Sequence, residues 1–187
     1  MKAFDFDGTL YDGDSSVDFF VYCLRKQPRC LLALPQLTIN TIRYLLRHCS
    51  LDELKSSFFY FTKFLQEPEE IIHSFWKNHS KKIKTNIAKH VDKGDLIISA
   101  SPSFLLREPA TKLGAYLVAT EVDIGSGRLV SKNCKGAVKA ERCIALNLDL
   151  PFEEVFSDSM SDMPLFRLSR VGHLVKKDSF SSFVPKH

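Results

Sequence analysis

The chain has no run long and apolar enough to cross a bilayer. Its longest uncharged stretch is Cys30 to Ile42, 13 residues that include Pro35, Gln36 and Asn40, whereas a spanning helix takes about 20 mostly apolar residues. It opens Met-Lys-Ala-Phe and turns acidic at once. It therefore lacks the apolar core and cleavage site of a secretory leader, and none is expected. Metal-binding thiol patterns are missing too. The five cysteines, at 23, 30, 49, 134 and 143, are odd in number, contain no C-x-x-C and form no His/Cys cluster at zinc spacing, which argues against a structural zinc site. Free thiols packed among apolar neighbours in a reducing cytoplasm are expected. There is no internal repeat and no low-complexity tract. With 44% hydrophobic and 26% charged residues, long disordered stretches are excluded.

A length of 187 residues suits one domain, or a small core carrying a modest insertion. Formal net charge is +4, unevenly spread: residues 14–90 hold 12 Lys/Arg against 7 Asp/Glu, while the remainder holds 14 against 15. The basic segment reads either as a surface for an anionic partner or as an ordinary solvated face.

Residues 2–6 read as a short strand that turns at Asp7-Gly8-Thr9. From 14 to 90 the pattern is helical and rich in aromatics, with apolar residues three and four apart. Ser50 with Glu53 forms a capping box, and Glu67-Pro68 opens another helix. After that, strands and helices alternate: strand 95–100, helix 102–113, strand 115–119, a hairpin over 121–132, helix 136–147, strand 154–157, helix 162–168 and a last strand 172–176. Such alternation predicts an α/β fold, a doubly wound parallel sheet. The expected division is a core of 1–13 and 91–187 with an all-helical insertion of 14–90 after the first strand.

Four segments carry chemistry. In Phe4-Asp5-Phe6-Asp7-Gly8 two carboxylates two residues apart leave a strand end towards one point. They repel unless a cation or a shared proton lies between them, and a hard divalent ion such as Mg²⁺ suits them. Asp5 then fits a nucleophile and Asp7 a proton donor and acceptor. Gly8 lets the backbone approach phosphate oxygens. The plainer alternative is an acidic turn, since Asp-Gly is a common turn pair. In Ile97-Ile98-Ser99-Ala100-Ser101-Pro102 the Ser99 hydroxyl sits where α/β sheets bind ligands, and helix capping falls to Ser101. Lys135 and Lys139, in Cys134-Lys135-Gly136-Ala137-Val138-Lys139, are candidates to neutralise a transferring phosphoryl group. In Ser157-Asp158-Ser159-Met160-Ser161-Asp162, Asp158 falls at another strand end as a metal ligand. Asp162 can support it from one step back, and reads equally as a helix N-cap before Pro164.

In this order the four segments resemble the haloacid dehalogenase superfamily, most of whose members are phosphatases. The resemblance implies a Rossmann-like core with a helical cap after the first strand, as in the phosphoserine phosphatase subclass. It implies Asp5 as nucleophile, Asp7 as acid/base, and Gly8, Thr9, Ser99, Ala100 and a lysine around the phosphate. Mg²⁺ would sit on Asp5, the carbonyl of Asp7 and Asp158, with Asp162 in support. The subclass offers two lysine placements, of which Lys139 is preferred over Lys135. Local details, including Leu24-Arg25-Lys26-Gln27-Pro28, look closer to a neighbouring branch that includes phosphatidylglycerophosphatase C.

The substrate expected is a small phosphorylated metabolite or a phospholipid headgroup monoester. For the latter, Arg25, Lys26, Arg29, Arg43 and Arg47 would bracket an apolar patch resting on an anionic membrane, peripheral to its inner face. A run so short is more often cap core. The alternative function is a catalytically silent phosphate-binding scaffold. Nucleic-acid binding is not expected, because the aromatics have the spacing of a core rather than of a stacking platform.

Overall fold

The structure, a computed structural model, describes residues 1–186. β1 is Ala3–Phe4. Five helices follow: α1 (Ser15–Lys26), α2 (Leu34–Leu45), α3 (Leu51–Phe59), α4 (Pro68–His79) and α5 (Thr85–Ala88). The rest alternates as β2 (Leu96–Pro102), α6 (Ser103–Leu113), β3 (Tyr116–Thr120), α7 (Ala137–Ala145), β4 (Phe152–Ser157), α8 (Met163–Phe166), β5 (Ser169–Lys176) and β6 (Ser179–Phe183). The sheet runs β3-β2-β1-β4-β5-β6, parallel throughout except for β6. The doubly wound α/β core and the helical insertion after its first strand are therefore as expected.

Period-two alternation divides the core between the two faces of the sheet. Ala3, Leu96, Ile98 and Val155 point one way, into a cluster with Cys143 of α7 and Leu165 and Phe166 of α8. Phe4, Ile97 and Phe156 point the other way, against Leu105, Leu106 and Ala110 of α6 and the insertion's Phe19, Phe75 and Trp76. The insertion thus shares one apolar cluster with the sheet. Trp76 stands edge-on to Phe6 and Tyr11 at 5.9 and 5.7 Å, and its indole N–H donates to the carbonyl oxygen of Leu105 at 2.7 Å. Burying a side chain of that size contributes about 1.5–3 kcal/mol. All five cysteines are free, and Cys23, Cys30, Cys134 and Cys143 are buried, as expected.

Helix α2 is different. It contains no buried residue, and Ile39, Ile42 and Leu45 are 59%, 52% and 74% exposed. Within the run 30–42 only Cys30 and Ala33 are buried, so the core reading of that run holds for its first turn and fails along α2. No helix among the described residues is long and apolar enough to cross a membrane.

Local chemistry sets the element boundaries. The Ser50–Glu53 capping box forms in both directions and opens α3, and Pro68 opens α4. β1 is shorter than 2–6 because the amides of Leu10 and Tyr11 both donate to the carbonyl of Phe6, curling the chain away. The stretch 121–132 closes on a single antiparallel bridge, Val122 to Leu129, rather than on two strands. Its turn presses on the end of α3: at Gly127, with φ +72°, a Cβ would lie 2.4 Å from the carbonyl oxygen of Phe59. The expected helix 162–168 is a 3-10 turn, Met160–Asp162, followed by the short α8. The expected capping roles are corrected too. Ser101 lies within β2 and Pro102 caps α6 without a side-chain bond, while Asp162 makes no cap bond to α8. Both side chains are engaged elsewhere. β6 was not expected; its sequence, Ser-Phe-Ser-Ser-Phe, is almost wholly exposed and carries little apolar alternation.

Candidate active site

Because β2, β1 and β4 are parallel neighbours, their carboxyl ends open on one edge of the sheet. The chain leaves β1 towards β2 on one side and reaches β4 on the other, the switch point at which such sheets bind ligands. A cavity of ≈ 590 Å³ lies there, lined on the sheet side by Asp5, Asp7, Ser99, Lys139, Asp158 and Asp162. The insertion supplies the opposite wall with Val17, Leu37, Leu51, Leu54 and Phe58.

Asp5 leaves β1 with its amide still donating to the carbonyl of Phe156. Its Oδ1 accepts from the amide of Phe6 at 2.8 Å and pairs with Lys139 Nζ at 2.8 Å. Burial drives its pKa up to about 7, against the downward pull of Lys139. Lys139 is 2% exposed, and its ammonium also donates to Asp162 Oδ2 at 2.7 Å. Burial alone would depress its pKa, but Asp5 and Asp162 more than offset that and the net shift is upward. Lys139 therefore stays charged. Lys135 is exposed on the cavity wall.

The carboxylate of Asp7 is held on both oxygens. Ser15 N donates to Oδ1 at 2.7 Å and Ser101 Oγ to Oδ2 at 2.5 Å. Its pKa is raised by burial, with these bonds opposing. Asp158 stands at the cavity, its amide donating to Thr9 Oγ1 at 2.9 Å. Gly8, at φ +72°, is so close that a Cβ would sit 2.2 Å from Asp158 Oδ2. Asp162 accepts from Ser157 Oγ at 2.8 Å as well as from Lys139. Asp5, Asp7, Ser99, Ala100, Lys135, Lys139, Asp158 and Asp162 thus line one cavity. Thr9 turns inward, fully buried, and ties the first segment to the fourth.

Among the described residues no three His, Cys, Asp or Glu side chains form a metal-holding group. The expected Mg²⁺ set has only two side chains, Asp5 and Asp158, the third donor being a backbone carbonyl. The chemistry of that set fits a hard cation. Oxygen donors line the cavity, and burial raises the pKa of Asp5, Asp7 and Asp158 alike, the direction that a bound cation would oppose.

Three features of the site were not anticipated. Lys55, on α3, reaches across to the carbonyl of Ala100 at 2.8 Å and to Asn133 Oδ1 at 2.7 Å, and burial lowers its pKa to about 8. Its signal was present in the sequence: with Leu51, Leu54 and Phe58 it occupies the i+4 place of an apolar i, i+3, i+7 stripe. The second is the hydroxyl pair of Ser101 and Ser16, 2.7 Å apart. Asn133 is the third, buried beside Thr120.

A buried carboxylate clamped by an ammonium can act as a nucleophile, with the ammonium offsetting charge that develops on the group attacked. A second carboxylate, separately held, can move a proton. The model of the haloacid dehalogenase-like hydrolase family matches residues 3–167. Among solved structures, a protein of unknown function from Bordetella pertussis Tohama I shares the fold with a TM-score of 0.69 at 19% identity, over 89% of this chain and 85% of that one. A probable phosphoserine phosphatase from Vibrio cholerae gives 0.62 at 13% identity, over 91% of this chain and 55% of its own. A substrate-bound phosphoserine phosphatase gives 0.57 at 14%, over 91% and 83%. At such identities the likeness is one of fold. No curated protein sequence matches the chain.

The raised pKa of Asp5 has a consequence for stability. A carboxyl whose folded pKa lies near 7 against 3.8 unfolded contributes fully below the unfolded value, and that contribution is lost as pH rises through about 7. Without divalent cations, Asp5→Asn should therefore melt higher than wild type at pH 8, with the gap closing towards pH 4. Thermal denaturation in EDTA measures this, and a wild type as stable as the variant at pH 8 contradicts it.

Proposed function

Since the chain belongs to the haloacid dehalogenase-like hydrolase family, we propose that it is a Mg²⁺-dependent phosphomonoesterase that passes the phosphoryl group through Asp5. The observation that carries this reading is the Asp5–Lys139 pair at 2.8 Å, in the cavity that also holds Asp7 and Asp158. We take residues 14–90 as a cap over a core of 1–13 and 91–187.

Asp5 Oδ1 is occupied by Lys139 and the amide of Phe6, which leaves Oδ2 to attack phosphorus in line with the leaving oxygen. As the new P–O bond forms and the ester bond breaks, Asp7 gives its proton to the leaving alcohol. Asp7 then takes a proton from water as that water attacks the aspartyl-phosphate, freeing inorganic phosphate and Asp5. Lys139 neutralises charge on the phosphoryl oxygens, with the Ser99 hydroxyl donating beside it. Mg²⁺, held by Asp5, the Asp7 carbonyl and Asp158 with Asp162 in support, would keep Asp5 ionised and offset phosphate charge. A catalytically silent phosphate-binding scaffold has no use for Asp7 held on both oxygens, which favours the enzyme.

The wall facing the phosphate end is largely apolar, with Val17, Leu37, Leu51, Leu54 and Phe58 alongside Thr41 and Lys55. That favours a phosphomonoester with an apolar arm, of the phospholipid-headgroup kind, over a small hydrophilic metabolite. The exposed apolar face of α2 points the same way, with Arg25, Lys26, Arg29, Arg43 and Arg47 all exposed nearby in sequence. Such a face suits an anionic lipid surface.

Three outcomes test these statements. With an aryl phosphate, turnover should require Mg²⁺ and vanish in Asp5→Asn; an active Asp5→Asn protein would falsify the covalent route. Lys139→Ala should lower kcat by about 10²–10³-fold, while Lys135→Ala changes it by less than about 3-fold, as an exposed lysine would. A larger loss for Lys135→Ala would move the phosphate role to that residue. At low salt the protein should co-sediment with vesicles of anionic phospholipid and be released as salt rises; absence of binding removes the lipid reading and leaves the hydrolase reading standing.

A further inference from the structure

Three hydroxyls stand behind the Asp7 carboxylate, one of them Ser15 Oγ, which donates to Ser101 Oγ at 3.4 Å. Ser101 Oγ donates to Asp7 Oδ2 at 2.5 Å, and Ser16 Oγ lies 2.7 Å from Ser101 Oγ. Ser101 and Ser16 are 4% and 7% exposed, so they are largely shut away from solvent. A hydroxyl has one hydrogen to give and lone pairs with which to accept. While Ser101 spends its hydrogen on ionised Asp7, Ser16 supplies the hydrogen of the Ser16–Ser101 bond. When Asp7 carries a proton, it can donate to Ser101, and Ser101 turns its own hydrogen towards Ser16. The number of bonds is the same in both arrangements. The opposite oxygen, Oδ1, meets the amide of Ser15, which can only donate.

We propose that Ser101, backed by Ser16, is a positioning residue that keeps Asp7 aimed at the leaving-group oxygen in both of the protonation states through which it cycles. This rests on the reading of Asp7 as the acid/base. No proton crosses the hydroxyl pair. Asp7 passes its proton to the leaving alcohol and regains one from water, while the two serine hydrogens only rotate. The brace is assembled from both parts of the chain. Ser16 lies in the first turn of α1, where Asp14 accepts from its amide as N-cap, and Ser101 is the penultimate residue of β2. The carbonyl of Ala100, next to Ser101, is gripped by Lys55 from α3 and by Thr120 Oγ1, each at 2.8 Å. Seating the insertion on the sheet therefore also completes the support of Asp7.

A group that acts by aiming a general acid matters most when the leaving group needs its proton. Ser101→Ala should therefore lower kcat/KM by about 10-fold or more for an alkyl phosphate, whose leaving alkoxide is a strong base, and by less than about 3-fold for p-nitrophenyl phosphate. Ser16→Ala should show the same ordering with smaller losses. The ratio of the two rates within one preparation does not depend on how much of the variant is folded, so partial misfolding cannot mimic the pattern. Equal losses on both substrates would overturn the proposal and leave Ser101 a packing residue. Asp7→Asn, run alongside, separates the premise from the inference. A leaving-group-dependent loss there with none in Ser101→Ala sinks the proposal alone, and an indifferent Asp7→Asn sinks both.

Discussion

The site depends on one buried ammonium. Lys139 Nζ lies 2.8 Å from Asp5 and 2.7 Å from Asp162, joining α7 to the ends of β1 and β4. Taking an ion pair out of water costs several kcal/mol per ion, and the mutual attraction offsets this only when geometry and extra hydrogen bonds are good. For Lys139 they are, since Asp162 also accepts from Ser157, whereas at Asp5 burial outweighs both Lys139 and the donating amide of Phe6 and its pKa is raised to about 7. Replaced by apolar groups, such a cluster would leave an equally compact core. Under the proposed function its cost in stability serves chemistry: a carboxylate kept desolvated and a cation kept charged, set to meet a phosphoryl group that brings its own negative charge.

Much of this was legible in the sequence, and the reason is geometric. Parallel strands deliver their carboxyl ends to one edge, so short motifs that each follow a strand must converge, however far apart they lie in the chain. Asp5, Ser99 and Asp158 could be read on that rule alone. Lys139 could be ranked above Lys135 only by resemblance, because one stands in the first turn of α7 and the other just before it, and only three-dimensional packing buries one and exposes the other. Ser101 and Asp162 show the limit of local reasoning. Each has the composition and position of an N-cap, yet a carboxylate and an ammonium across the cavity outbid the helix amides for their side chains. Lys55 and Ser16 belong to the insertion, and their partners on the sheet cannot be inferred from the pattern of a single helix.

The insertion has two different halves. Around α1 and α4 it is an extension of the sheet's own apolar cluster, locked by the Trp76 indole on the carbonyl of Leu105. Around α2 it exposes Ile39, Ile42 and Leu45 to solvent. The run 30–42 could not tell these apart, since an apolar stripe has the same period whether the surface it meets is protein, lipid or water. What distinguishes them is connection: α4 returns to the sheet, whereas α2 packs on α3, where Lys55, Ser56 and the close approach of Gly127 make the joint to the core.

Gly8 contributes no reacting group, and its own amide is used up in closing a turn onto the carbonyl of Gly13. Yet the smallest possible side chain there would occupy the space of the Asp158 carboxylate. In a saturation library this position would therefore score like one of the reacting residues, intolerant of every replacement, although its constraint is one of volume and backbone handedness. Natural variation at such a site records how tightly two loops meet, and says nothing of which substrate lies between them.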